Sequence, residues 1–415
     1  MEKHAIVVVG GGPAGMAAAV AAFDAGVTDV VILDREAQLG GILRQCIHNG
    51  FGLHKLGREL TGPEYAAVYE QKVLERNIPV FYETTVTDLS PDRVVTARNR
   101  NGILKIQAQA VILAMGCRER SRGALNIPGT RPAGIYSAGT AQKLMNMEGY
   151  MVGRRVVILG SGDIGLIMAR RMSLEGARVE AVCELMPYSG GVTRNIVQCL
   201  EDFGIPLYLS TTVTRIHGQR RVEGVTIARV DEHRRPILET ERFIPCDTLL
   251  LSVGLIPENE LTRGAGIPMD PVTGGARVDE RCQTGIPGIF ACGNVLQVHD
   301  LVDFVSEEAE RSGIGAAEFV KHGPAAGESL PTQPGYGVRY VIPQNVHAGE
   351  GEVSLFLRVT RPFGRVRFTV RSGERVLASV KRLKAAPGEM EKLTVRAELL
   401  KGAEGPIVVE LEELA

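Results

Sequence analysis

Gly10-Gly11-Gly12-Pro13-Ala14-Gly15 and Gly160-Ser161-Gly162-Asp163-Ile164-Gly165 decide how this chain is read. Each follows a short apolar, β-branched run, Ala5 to Val9 and Arg155 to Leu159, and each opens a stretch of helical character. The first unit continues as helix from Ala14 to Ala25, stops at Gly26, and resumes as strand Val30 to Leu33 before Asp34. The second repeats that plan, with helix Ile164 to Glu175, a stop at Gly176, strand Val179 to Cys183 and then Glu184. Each unit is a complete βαβ half-site for a dinucleotide. Pyrophosphate is doubly charged and needs donors without bulk. Glycines let the backbone approach it, and a helix N-terminus offers N–H groups with about half a positive charge. The terminal acids, Asp34 and Glu184, are placed to take ribose hydroxyls. Two such units imply two dinucleotides, and electrons passing between them.

The 415 residues predict roughly three domains at about 150 residues each. A net charge of −1 gives no broad pull toward nucleic acid or an anionic membrane. No apolar run approaches the roughly 20 residues needed to span a bilayer. The first strand begins close to Met1, so no signal peptide is expected. The seven cysteines form no CxxC pair and no metal-ligand or iron–sulfur spacing. A cytoplasmic protein without a metal is the expectation.

Three further strand-like runs end in glycine, as suits strands whose carboxyl ends approach a ligand. They are Ala110 to Ala114 before Met115-Gly116, Thr248 to Val253 before Gly254, and Gly288 to Ala291 before Cys292-Gly293-Asn294. A helix is predicted from Asp303 to Val320, and Glu307, Glu308 and Glu310 read as its solvated face. The stretches Gly323 to Gly327 and Pro331 to Gly337 read as linker. Beyond them, runs such as Val353 to Val359, Val366 to Val370 and Ile407 to Leu411 alternate with a period near two. They predict an antiparallel β-sandwich-like module over residues 334–415.

With these features in place, the chain resembles the flavoproteins with two dinucleotide-binding domains, the class that includes thioredoxin reductase and glutathione reductase. The resemblance covers about residues 4 to 325. It implies an α/β fold with two Rossmann-like domains: a split FAD domain, 1–118 and 256–328, with an NAD(P)H domain, 119–255, inserted. FAD is then expected at Gly10, Gly12, Pro13, Ala14, Gly15, Asp34, Arg35, Gly41, Val86, Ala114, Gly116, Gly293 and Asn294. Gly40-Gly41 resembles the second pyrophosphate contact. Asn294 stands where the family carries an acid on the flavin ribityl chain, so that contact keeps a hydrogen bond and loses its charge. The nicotinamide nucleotide is expected at Gly160, Gly162, Asp163, Ile164, Gly165, Glu184 and Gly254. Glu184 favours NADH, because one like-charge pair at about 4 Å and an effective dielectric near 20 costs on the order of 4 kcal/mol. No arginine pair follows it to receive a 2′-phosphate.

More narrowly, Gly116-Cys117-Arg118-Glu119-Arg120, Gln45 to Gly52 and Gly293 to Glu308 resemble flavoprotein subunits. Their relatives include subunits of hydrogen cyanide synthase and opine dehydrogenase, and oxidoreductases associated with bacterial glycerol 3-phosphate dehydrogenase. The disulfide-reductase members carry paired cysteines. Here Cys46 stands alone, with Phe51 where a CxxxxC partner would fall, and Ser137-Ala138-Gly139-Thr140 occupies the CxxC place. Thiol–disulfide exchange within the chain is therefore not expected. Cys46, with His48 lowering its pKa, is a candidate redox thiol, or else a packed cysteine beside the flavin. His48, His54, His299 and Asp300 are candidates for hydrogen bonding to the isoalloxazine or managing its protons, or for loop packing. Asp300 or Asp303 is a candidate helix cap. Arg118, Glu119 and Arg120 are read as inter-domain ion pairs or nucleotide-steering residues. Two chain connections, near residues 117–120 and 253–257, are read as a hinge. The expected reaction is hydride transfer between NADH and flavin N5. The expected role is an electron-transfer subunit working with a separate dehydrogenase, such as one acting on glycerol 3-phosphate. A self-contained NADH oxidase or peroxidase, and a non-catalytic redox sensor or assembly subunit, are the alternatives.

Overall fold

The computed structural model describes residues 1–324, 329–347 and 351–414. Residues 325–327 of the expected linker lie outside these. The chain forms two compact units: Met1–Arg44, Asn49–Cys117 and Pro257–Ala415 make one, and Gln45–His48 with Arg118–Ile256 make the other. The chain therefore passes between units four times, where the sequence reading has two crossings. The difference is the short segment Gln45–His48, tied by its hydrogen bonds to the helix Ala138–Asn146. The Gln45 amide donates to Gly139 O at 2.9 Å and Gln142 Oε1 at 3.0 Å, and Asn146 Nδ2 donates to Gln45 O at 2.8 Å.

The first unit is built on a seven-stranded sheet. Strand Glu2–Val9 lies parallel between Val30–Leu33 and Gly102–Leu113, and Ile289–Ala291 extends the parallel set. Ile6 to Val9 are all buried, as expected for a parallel strand covered on both faces. Pro13 opens the helix Pro13–Asp24, where its fixed φ is pre-set for a first turn. The alanines of that helix let the long helix Val302–His322 approach closely: a Cβ on Gly313 would lie 2.2 Å from Ala18 O. The second unit holds a parallel sheet ordered Ile135–Ser137, Thr248–Leu251, Arg155–Leu159, Arg178–Cys183, Leu207–Tyr208. A three-stranded antiparallel sheet, Thr211–His217, Gly224–Arg229 and Arg242–Pro245, accompanies it. The α/β class with two Rossmann-type sheets is as the sequence predicts.

The carboxyl-terminal module has two sheets, of five and three strands, that share one core including Phe368, Val370, Leu355 and Leu357. Two corrections apply. Ser329–Pro334, most of it read as linker, is a strand, and it pairs parallel, not antiparallel, with Ile407–Glu413. Tyr340 and Ile342 of the module enter the core formed by Val278, Ile289 and Leu296 of the first unit. Among the described residues no helix is long and apolar enough to cross a membrane.

Candidate dinucleotide-binding sites

The two glycine loops are built alike, almost bond for bond. Gly10 N donates to Leu33 O and Gly160 N to Cys183 O, which seats each loop at the end of the neighbouring strand. Both glycines have positive φ, +107° and +98°, a region that strains a side chain. A Cβ on Gly10 would lie 2.5 Å from Ala114 O, and one on Gly160 would lie 2.0 Å from Ser252 O. Ala114 N and Ser252 N in turn donate to Val9 O and Leu159 O. Ala114-Met115-Gly116 and Ser252-Val253-Gly254 are therefore the same structural element in the two units. Gly116 and Gly254 both take positive φ, and a Cβ on either would meet nothing within 4 Å.

The middle and last glycines divide the work. A Cβ on Gly15 would sit 1.7 Å from Gly10 O, and one on Gly165 would sit 2.7 Å from Ser252 Cβ, so these positions pack the helix onto its strand. A Cβ on Gly12 would meet nothing within 4 Å, and one on Gly162 would first meet Ser252 Oγ at 3.5 Å. These positions face open space at the N-terminal ends of Pro13–Asp24 and Asp163–Leu174, where an anion fits. Gly40 and Gly41 close over the first loop: Gly40 N donates to Gly11 O, and a Cβ on Gly41 would stand 3.1 Å from Gly12 Cα.

The terminal acids behave alike as well. Asp34 accepts from Gly11 N at 2.5 Å and Glu36 N at 2.8 Å. Glu184 accepts from Ser161 N at 2.9 Å, Ser161 Oγ at 2.6 Å and Met186 N at 2.8 Å. Each carboxylate ties its own loop to the second strand and keeps lone pairs that these bonds do not use. Burial raises the Asp34 carboxyl, against the backbone donors of Glu36 and Gly11. Thr84 N donates to Asp34 O at 2.8 Å, which brings the chain leading to Val86 beside this acid. Arg35 is exposed and lies 3.8 Å from Glu36.

In the second unit, Asp163 sits in the first turn of its helix, but its Oδ1 accepts from Val192 N and Asn195 Nδ2, at 2.9 and 2.7 Å. Ser189 Oγ donates to Ser161 O, and Ser161 Oγ accepts from Gly190 N. Residues 189–195 thus latch onto the loop, a feature the sequence reading missed. Ser252 was missed too, and its Oγ accepts from Gly165 N at 3.1 Å. Ile164, between Asp163 and Gly165, packs on the core of this unit.

Several candidate side chains take other roles. Glu119 accepts from Gly139 N at the start of helix Ala138–Asn146, where a carboxylate is stabilised. Neither Asp300 nor Asp303 caps the long helix, whose N-cap is Leu301. Asp303 instead accepts from Gly52 N and Lys55 N, holding the loop in which His54 stacks on Phe304. Asp300 accepts from Arg358 of the module. The run Glu307 to Glu310 is not a solvated face: Glu308 is fully buried, Glu307 pairs with Lys392, and Glu310 pairs with Lys55.

Cys46 is buried, and desolvation pushes its thiol up to about 12. Burial, with the charges of Arg194 and Arg170, pulls His48 down to about 4. An uncharged imidazole cannot lower the thiol, so the geometry opposes a reactive thiolate. Cys46→Ser is therefore expected to leave the rate of NADH oxidation within about twofold of wild type. A steady-state assay with an artificial acceptor checks this, and loss of turnover would restore the thiol to the mechanism.

Residues 4–313 match the pyridine nucleotide-disulphide oxidoreductase family. One of the subunits of opine oxidase, from Agrobacterium tumefaciens, is 27% identical over 71% of this chain and 61% of its own length. The HcnB subunit of hydrogen cyanide synthase, from Pseudomonas aeruginosa, is 26% identical over 63% of this chain and 59% of its own. NADH oxidase of Methanocaldococcus jannaschii is 26% identical over 62% and 55%. The chain thus spans 55 to 61% of the length of these relatives. Among solved structures, thioredoxin reductase of T. acidophilum superposes with a TM-score of 0.64 at 23% identity, covering 77% of this chain and 99% of that one. That likeness is one of fold. With two glycine loops built as Rossmann half-sites and a family match over most of its length, the chain belongs to the pyridine nucleotide-disulphide oxidoreductase family.

Proposed function

We propose that the chain is the electron-transfer subunit of a multi-component dehydrogenase, with FAD on the Gly10 to Gly15 loop and NADH on the Gly160 to Gly165 loop. The observation that carries this reading is a pair of complete cradles in a chain whose seven cysteines, all among the described residues, are thiols and not disulfides. The reversible hydride exchange with a nicotinamide is chemistry that FAD supplies when bound. The protein's own part is to bind and orient. Gly12 and Gly162 leave room for pyrophosphate at two helix N-termini, and Asp34 and Glu184 offer carboxylate oxygens to the riboses. Glu184 also opposes a 2′-phosphate, which supports NADH over NADPH. Buried Cys46 gives no exit for electrons as a thiol, so the second half-reaction belongs to another component. The opine oxidase and hydrogen cyanide synthase relatives are themselves named as subunits, which supports a partner dehydrogenase. Glycerol 3-phosphate is the substrate we assign to that partner.

The test is anaerobic reduction of the purified flavoprotein by NADH, followed by re-oxidation with and without the candidate glycerol 3-phosphate dehydrogenase. Bleaching of the flavin bands, and re-oxidation at least about tenfold faster with the partner, is the expected result. Re-oxidation indifferent to the partner overturns the subunit role. A flavin that NADH does not bleach overturns the reaction itself.

A further inference from the structure

Beneath the Gly293 turn lies a buried histidine–carboxylate pair. The side chains of His299 and Glu308 are 0% and 1% exposed. Glu308 Oε1 accepts from Gly293 N at 2.7 Å, and Oε2 accepts from Gln297 Nε2 at 2.7 Å. Oε2 also lies 3.4 Å from His299 Nε2. Burial raises the Glu308 carboxyl, but His299, Arg311 and Gln297 together leave it below its ordinary value.

The other edge of the imidazole meets Asn294. The backbone N–H of His299 donates to Asn294 Oδ1 at 3.0 Å, and His299 Nδ1 lies 3.4 Å from the same oxygen. A backbone N–H can only donate, so this contact fixes which end of the amide is oxygen. One N–H of the amide nitrogen then donates to Cys117 Sγ at 3.6 Å, and the nitrogen carries a second N–H. The turn is pressed onto the first cradle: a Cβ on Gly293 would stand 2.7 Å from Ala14 Cβ, in the first turn of the glycine-loop helix.

We propose that His299 and Glu308 are positioning residues for the flavin nucleotide, locking Asn294 so that it presents a donor to the ligand while the negative charge of the turn stays one layer below, on Glu308. This rests on reading the first cradle as the FAD site. An acid at position 294 would set a second carboxylate on the far side of the imidazole that faces Glu308.

The experiment is FAD titration of the full-length apoprotein, with its melting temperature as a check on folding. Asn294→Asp is expected to weaken FAD by at least about tenfold. The double variant Asn294→Asp with Glu308→Gln is expected to recover about twofold, to the level of a variant that lacks only the donor, because the second carboxylate is gone while the amide N–H stays lost. Asn294→Leu, of similar size and uncharged, is expected to weaken FAD about fivefold through loss of the donor. Additive losses in the double variant, or an Asn294→Leu protein that binds FAD as wild type does, would overturn the proposal while the cradle reading stands. A folded wild-type chain that takes up no FAD overturns both.

Discussion

Gly15→Ala is expected to yield protein without flavin. The added methyl would lie 1.7 Å from Gly10 O and 2.9 Å from Gly10 C, well inside contact distance. Gly10 cannot retreat, because the space behind it ends at Ala114 O. Either the helix Pro13–Asp24 lifts from the strand or the loop unwinds, and both scatter the donors that an anion needs. Displacing a packed backbone costs about 3 kcal/mol or more, which is at least about a hundredfold in FAD affinity. The visible absorbance of the purified variant and its titration with FAD measure the effect. Retention of a wild-type flavin content would mean that this loop is not the FAD site. Gly12→Ala makes an instructive comparison, since its methyl meets no protein atom within 4 Å and any loss must come from ligand contact.

The mirror experiment in the second unit should separate the two sites. Gly160→Ala places a methyl 2.0 Å from Ser252 O, at a φ of +98°. Pushing Ser252 away also breaks the hydrogen bond from Gly165 N to Ser252 Oγ, so two supports of the loop fail together. The expected protein is yellow and takes up FAD normally, but its KM for NADH rises at least about a hundredfold. Rapid-mixing reduction over a range of NADH concentrations reads this directly. Equal loss of FAD and NADH binding would mean that the substitution had unfolded more than its own cradle.

Much of the fold was legible because both half-sites are local. Strand, loop, helix and acid follow one another within about thirty residues, and glycine is the only residue that tolerates those contacts. The equivalence of Ala114-Met115-Gly116 with Ser252-Val253-Gly254 was half visible, since each was seen as a run closed by glycine. Ser252 itself gave no signal, because its role depends on which strand ends beside the loop. The buried Glu308 was misread for a related reason. Three acids close together on one helix look solvated until Gly293 N, Gln297 and His299 arrive to satisfy one of them. The helix Gly62–Glu75 was passed over although Thr61 and Glu64 form a capping box that the sequence spells out. Pro331 to Pro334 read as linker because the prolines hide a strand, Ser329–Pro334, whose partner, Ile407–Glu413, lies over seventy residues downstream.

The way the carboxyl-terminal module is seated has a mechanical consequence. Tyr340 and Ile342 are worth about 1.5–3 kcal/mol apiece where they enter the core beneath it. Arg358 adds bonds to Val298 O and Asp300, while Gln344 Oε1 accepts from Val278 N. A body fastened at so many points moves as a bracket, not as an arm on a string. Anything that grips its outer strands is held at a set bearing to the Gly10 loop, and Arg358 carries a pull on the module to the chain on both sides of His299.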